Sequence, residues 1–187
     1  MKRTNVIWIV IAAVVVIGVI SAISSYNGLV SSETAVDNKF AQIDVDLQRR
    51  SDLIPNLVKT VQGYAAHEKE VIQSIADARA KLTGAGTAEE KAQADSELTS
   101  ALSRLLVVVE NYPELKADKQ FTRLMDELAG TENRISVARR DYNDSVTAHN
   151  TKLRRFPTSL YASMFGFEKK TLFKSAPGAD KAPEVNF

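Results

Sequence analysis

The chain has no cysteine among its 187 residues, two histidines, five prolines and eight glycines. Without cysteine it forms no disulfide, no thiolate metal site and no thiol nucleophile. Two histidines leave few routes to a histidine-based metal centre. An excess of one charge is missing too. The 24 basic and 23 acidic side chains leave a net charge of +1, so bulk charge does not argue for nucleic-acid binding. Few glycines and prolines, beside abundant Ala, Glu, Lys, Leu, Arg and Val, lean towards long helices. No segment alternates like a strand with turns at strand spacing. A Gly-rich phosphate loop and a nucleophile-elbow serine are also absent.

What is present first is an apolar run. Val6 to Ile20 carries no polar side chain, and Ser21, Ala22 and Ile23 extend it to eighteen residues without a charge. At about 1.5 Å per helical residue it covers roughly 27 Å, against a hydrocarbon core of about 30 Å. Trp8 and Tyr26 stand near its two edges, where amphipathic rings favour the interface. We read residues 6–25 as a transmembrane signal-anchor helix behind a short basic N-terminus, residues 1–5. The competing reading is a cleaved secretory signal, with Lys2 and Arg3 as its start and Ala22-Ile23-Ser24 as its cleavage site. Its apolar core would exceed the usual length of about 7–15 residues. Lys2 and Arg3 precede the span, and Lys39 is the only basic residue between Ser24 and Gln48. That bias places the N-terminus in the cytoplasm and the bundle outside. About 160 residues follow the span, enough for one domain.

Beyond the span the pattern becomes a repeat of alternating four and three. Val36, Phe40, Ile43, Leu47, Arg50, Ile54, Leu57, Val61, Tyr64, Glu68, Val71, Ile75, Ala78 and Leu82 follow it, which keeps one helix face against a partner. Arg50 and Glu68 put charge on that seam, and Asp46 stands one turn before Arg50. Pro55 interrupts the run. Either Asp52 caps a new helix there, or one helix kinks. Thr83-Gly84-Ala85-Gly86 is a stop, and Thr87-Ala88-Glu89-Glu90 is a capping box. The helix it opens runs to about Glu110, with Leu105–Val109 as its more deeply buried end. A last helix from about Pro113 to Phe156 carries Phe121, Leu124, Leu128, Thr131, Ile135, Ala138, Tyr142, Ser145, His149, Lys152 and Phe156 on one stripe. Pro157 stops it. Residues 158–175 are basic and aromatic. Residues 176–187 hold Pro177, Gly178 and Pro183 and read as a disordered tail.

These stretches resemble the LemA family of bacterial membrane-anchored proteins. The matching motifs are Y-N-G-L-V from Tyr26, R-R-S-D-L-I-P-N-L-V from Arg49 and G-Y-A-A-H-E from Gly63. N-Y-P-E-L-K-A from Asn111, T-E-N-R-I from Thr131, A-R-R-D-Y-N from Ala138 and Phe156-Pro157 complete the set. They stand in family order over roughly residues 26–167. The resemblance implies an N-terminal anchor, then an antiparallel helical bundle, and no established activity. It also implies a short N-terminus outside the cell, opposite to the Lys2 and Arg3 bias.

His67-Glu68 lacks the second histidine of a zinc-protease helix, and His149 falls on a seam, where a hydrogen-bonded core histidine is the commoner finding. We expect no catalytic, cofactor-binding or metal residues. Asn27, Asp44, Arg50, Asp52, Asn56, His67, Glu68, Glu132, Arg139 and Asn143 form either internal hydrogen-bond layers or a recognition surface. Phe165, Phe167, Lys169, Lys170, Phe173 and Lys174 suit a membrane interface, or else cover the open end of the bundle. A four-helix path or a single hairpin returns residue 156 to the bilayer, while a three-helix path does not. The expected fold is all-α: a transmembrane helix, then an elongated antiparallel bundle of four helical segments, coiled-coil-like, over residues 26–157. The expected role is a non-enzymatic scaffold or adaptor of the bacterial cytoplasmic membrane. Its expected partners are the lipid bilayer, copies of itself and other membrane proteins, with no nucleic acid. The alternative is an extracytoplasmic module sensing a peptide or lipid.

Overall fold

A computed structural model describes residues 3–173. The described residues are all-α: α1 (Arg3–Tyr64), α2 (Lys69–Gly84), α3 (Ala88–Val109), α4 (Pro113–Lys116), α5 (Lys119–Arg154) and α6 (Thr158–Ala162). They fall into two units. One takes residues 3–39 and 143–171, the other residues 40–142 and 172–173. The bundle read as residues 26–157 is therefore divided between them. Lys2, Lys174 and the tail after it lie outside the described residues.

In the second unit the 4-3 stripe does what its spacing predicts. Ile43, Leu47, Ile54, Leu57 and Val61 of α1 are buried. So are Ile75, Ala78 and Leu82 of α2, Leu98, Ala101 and Leu105 of α3, and Leu124, Leu128 and Ile135 of α5. Cross-helix bonds give the directions. Asp44 and Arg50 of α1 meet Lys91 and Asp95 of α3, so these two run the same way. Asp46 and Tyr64 of α1 meet Arg134 and Asp118, so α5 runs the opposite way. Arg79 of α2 reaches back to Ser51. The path is up, down, up, down.

In the first unit α1 and α5 are again antiparallel, through Ser32 with His149 and Gly28 with Lys152. Leu29, Leu153 and Ala162 form a small buried cluster with Phe167 packed on it. Leu29 and Ser32 carry the seam of α1 back about two turns before Val36.

α1 continues through Pro55, so Pro55 neither opens a new helix nor turns the chain. Proline has no N–H, and this leaves the carbonyl four residues earlier without its helical partner. That carbonyl belongs to Ser51, and it accepts from Arg79 Nε at 2.9 Å. α2 thus repairs the bond that Pro55 removes.

The reversal comes instead at residues 65–68, inside the stretch that the repeat reads as continuous. The spacing of Tyr64, Glu68 and Val71 keeps its phase across the turn by coincidence. The last helix is also broken. α4 ends at Lys116, and Asp118 starts α5 by accepting from the Phe121 N–H at 2.8 Å. That bond, first among its causes, holds the Asp118 carboxyl below the usual range. The capping box of α3 is present as read, with Thr87 and Glu90 reciprocally bonded. Its far end is not deeply buried throughout. Leu106 and Val107 are exposed, because a helical run of apolar residues turns half of them outward.

The Pro55 repair gives a coupled prediction. Arg79→Met should lower unfolding free energy by about 1–2 kcal/mol, the range for a bond from a charged donor. In a Pro55→Ala background, where Ser51 regains a helical N–H, the same change should cost much less. Chemical unfolding of the four proteins of this double-mutant cycle measures it, and equal costs in both backgrounds would refute the repair.

Candidate membrane-interface site

The apolar run of α1 remains uncovered. None of Val6–Ile23 is buried, and among the described residues α1 is the one helix long and apolar enough to cross a bilayer. Against its far end the chain folds back. Tyr161 Oη stands 3.4 Å from the Gly18 carbonyl, and Thr158 Oγ1 3.4 Å from Ser25 Oγ. These contacts bring α6 alongside the last turns of the apolar stretch.

After α6 the chain turns at Gly166, whose φ of 75° is a conformation that favours glycine. Phe167 N–H bonds Ala162 O at 3.0 Å across this turn, the six-to-one bond of a Schellman ending. The turn sets Phe165 and Phe167 edge-on to Tyr26, with ring centroids 5.1 and 5.8 Å away. Tyr161 stacks on Phe165. The following strap is tied down. Asn150 bonds both the N–H and the C=O of Lys170, at 3.0 and 2.9 Å, and Lys170 pairs with Glu33 at 2.6 Å.

His149 belongs to the same anchoring. It is fully buried. Its Nε2 lies 3.2 Å from the Glu168 carbonyl, which can only accept, so Nε2 donates. Nδ1 faces Ser32 Oγ at 3.0 Å, and that hydroxyl is also within reach of Leu29 O. His67 is exposed in the turn between α1 and α2.

Of the residues expected at a membrane interface, Phe165 and Lys169 are exposed and Phe167 and Lys170 half-buried. Phe173 is only 3% exposed. It lies in the other unit, with Tyr142 at its edge and the Arg139 guanidinium 4.8 Å over its ring. Its ring is covered by protein. Phe156, placed by its spacing on the stripe of the last helix, is uncovered, and so are two residues that the sequence reading did not single out, Leu160 and Met164. Phe156, Leu160 and Met164 are 80%, 58% and 77% exposed in the segment around α6. Their spacing of four was visible, but attention to aromatics beside lysines passed over a leucine and a methionine.

The polar residues of the shared motifs divide. Arg50 and Arg139 converge in the second unit on Asp95, which sequence reading did not single out, and Glu132 joins through Arg50. Arg50 Nη1 bonds Asp95 at 2.6 Å and also Glu132, Arg50 Nη2 bonds Thr99 at 3.0 Å, and Arg139 bonds the other Asp95 oxygen. Burial pushes the Asp95 carboxyl up, while the two guanidiniums oppose the shift. Asp46 does not pair with Arg50 as its spacing suggested. It takes Gln42 and Arg134. Asp44 pairs with Lys91, and Glu68 accepts from the Tyr112 hydroxyl at 2.8 Å. Asn27, Asp52 and Asn56 are exposed. These motif residues thus split between an internal network and the surface.

An exposed apolar helix of bilayer length, followed by bundled helices, defines a membrane-associated all-α protein. The sequence model of the LemA family matches residues 39–187, and the chain belongs to that family. It is also similar to magnetosome protein MamQ 1 of Paramagnetospirillum magneticum, 27% identical over 90% of this chain and 74% of that protein. Magnetosome protein MamQ of Magnetospirillum gryphiswaldense is 27% identical over 83% of this chain and 66% of its own length. Protein LemA of Metamycoplasma hominis is 24% identical over 80% and 69% respectively.

Removing the shared acceptor tests the network. Asp95→Ala takes the shared carboxylate from half-buried Arg139 and leaves buried Arg50 with Glu132 alone, and it should cost about 3 kcal/mol. Arg123→Ala, which breaks an exposed pair with Glu127 on α5, should leave the thermal midpoint unchanged. Thermal unfolding by circular dichroism compares them.

Proposed function

We propose that this protein is a non-enzymatic scaffold or adaptor held in the bacterial cytoplasmic membrane by a retained span, and that it assembles with copies of itself. The observation that carries this reading is the continuity of α1, in which the apolar stretch and the first bundle helix belong to one helix. A signal cleaved near Ser24 would discard Gly18, the carbonyl that Tyr161 meets, and much of the surface that α6 covers. The buried Arg50–Asp95–Arg139 network supports a structural role for the motif residues that converge there, because its charges are committed to one another. Self-assembly is supported by apolar residues left on outward faces, among them Val45 of α1 and Leu106 and Val107 of α3. The Lys/Arg bias favours a cytoplasmic N-terminus with the bundle outside.

A second reading has one observation of its own. A groove of about 600 Å³ opens beside α1 and the turn between α2 and α3. Val45, Leu53 and Leu82 line it together with Asp44, Asp52 and Lys91. An extracytoplasmic peptide with an apolar residue between charges would fit that mixture. A ligand-dependent rise in melting temperature that Leu53→Asp abolishes would favour the sensor over the scaffold.

The scaffold reading is tested on the full chain in mild detergent. Light scattering coupled to size exclusion should find more than one copy per particle, and Val107→Glu should shift the population towards the monomer. A strictly monomeric species at high protein concentration would remove self-assembly from the account.

A further inference from the structure

A cavity of about 360 Å³ lies in the first unit, where α6 meets the end of the apolar stretch. Ser21, Ser24, Ser25 and Thr158 line it with hydroxyls, and Lys152 and Arg155 line it with positive charge. No carboxylate lines it. Among the described residues neither cation forms a salt bridge. Lys152 Nζ has only the Gly28 carbonyl, at 3.4 Å. Exposed Arg155 has no side-chain partner among the described residues, and Arg154 adds a third charge next to it in sequence.

The depth of this cavity follows from the helix. α1 is apolar from Val6 to Ile23, roughly 27 Å of rise, which nearly fills a hydrocarbon core of about 30 Å. Ser21, Ser24 and Ser25 thus fall where acyl chains give way to headgroups. Beside them Phe156, Leu160 and Met164 leave large apolar side chains uncovered. Each gains about 1.5–3 kcal/mol on leaving water. A segment with exposed apolar side chains and adjacent basic residues is built for a membrane surface, and anionic lipid attracts such cations.

We propose that this cavity holds the headgroup of an anionic phospholipid from the leaflet on the bundle side. Lys152 and Arg155 neutralise its phosphate, the Ser24 and Ser25 hydroxyls donate to its oxygens while Thr158 donates to Ser25, and Phe156, Leu160 and Met164 lie among the acyl chains. The occupant is a lipid rather than free phosphate because the polar pocket and the apolar side chains adjoin at one depth. The inference rests on the reading of Val6–Ile23 as a retained span, and it adds a lipid preference to that reading.

Native mass spectrometry of the full chain, released from detergent micelles, tests it with three probes: phosphatidylglycerol, phosphatidylcholine and inorganic phosphate. The expected result is retained phosphatidylglycerol in preference to phosphatidylcholine, with no retention of inorganic phosphate. Removing charge should weaken that preference by about fivefold per cation, in Arg155→Gln and further in the Lys152→Gln, Arg155→Gln pair. Arg155→Gln keeps the test sound if the pair misfolds, since Arg155 makes no side-chain bond among the described residues. Lys81→Gln, a cation on α2, should change nothing. An undiminished preference in Arg155→Gln, no preference in the parent protein, or retention of phosphate alone would each overturn the site. A purified chain whose mass begins near Ser24 would overturn the span as well, which separates that failure from failure of the site.

Discussion

An apolar helix face needs a surrounding that is not water, and the stretch of α1 from Val6 to Ile23 finds none among the described residues. Its valines and isoleucines are uncovered from Val6 to Ile23, although each such side chain gains about 1.5–3 kcal/mol when it leaves water. The rest of the first unit depends on this stretch. α6 packs against its end through Tyr161 and Thr158, and the Gly166 turn brings Phe165 and Phe167 back to Tyr26. Lys170, Asn150 and Glu33 then tie the returning strap in place. Every one of these contacts uses residues at or beyond Gly18.

The second unit is governed by charge instead. Asp95 is a buried carboxylate on α3 that collects guanidiniums from α1 and α5, so three helices share one register point. A similar exchange occurs at Ser51. Pro55 removes a helical donor from α1, and Arg79 of α2 supplies one. Both features satisfy a polar group on one helix with a side chain from another. Sliding a helix by one turn would leave those groups buried and unpaired, which is costly.

The parts of this fold governed by local chemistry were legible in the sequence. The capping box at Thr87 and Glu90, the apolar span and the buried stripe of α1 each depend on residues within a few turns. The parts that failed depend on distant partners. Pro55 left two paths open because the carbonyl it strands, Ser51 O, is repaired by Arg79, 28 positions from Ser51. The partner of Arg50 was sought at Asp46, one turn off, and stands at Asp95 on another helix. The reversal after Tyr64 was hidden because the repeat kept its phase through the turn. Of the residues expected at a membrane interface, Phe165 and Lys169 are exposed. Phe173 is buried against Arg139 and Tyr142, partners that its own neighbours in sequence do not announce. Leu160 and Met164 were overlooked because nothing in their own identity distinguishes an exposed position from a core one.

The absence of cysteine makes the central claim directly measurable, since any introduced thiol is the only one in the chain. Single cysteines placed along α1 in the full protein, in intact cells, can be challenged with a water-soluble maleimide. The account predicts that Val10→Cys, Val14→Cys and Ile17→Cys stay protected, whereas Val30→Cys and Thr34→Cys react, and react from one side of the membrane only. Labelling at Val14 as fast as at Thr34, or loss of the Val10 and Val14 positions from the mature protein, would contradict a retained span that continues into the bundle.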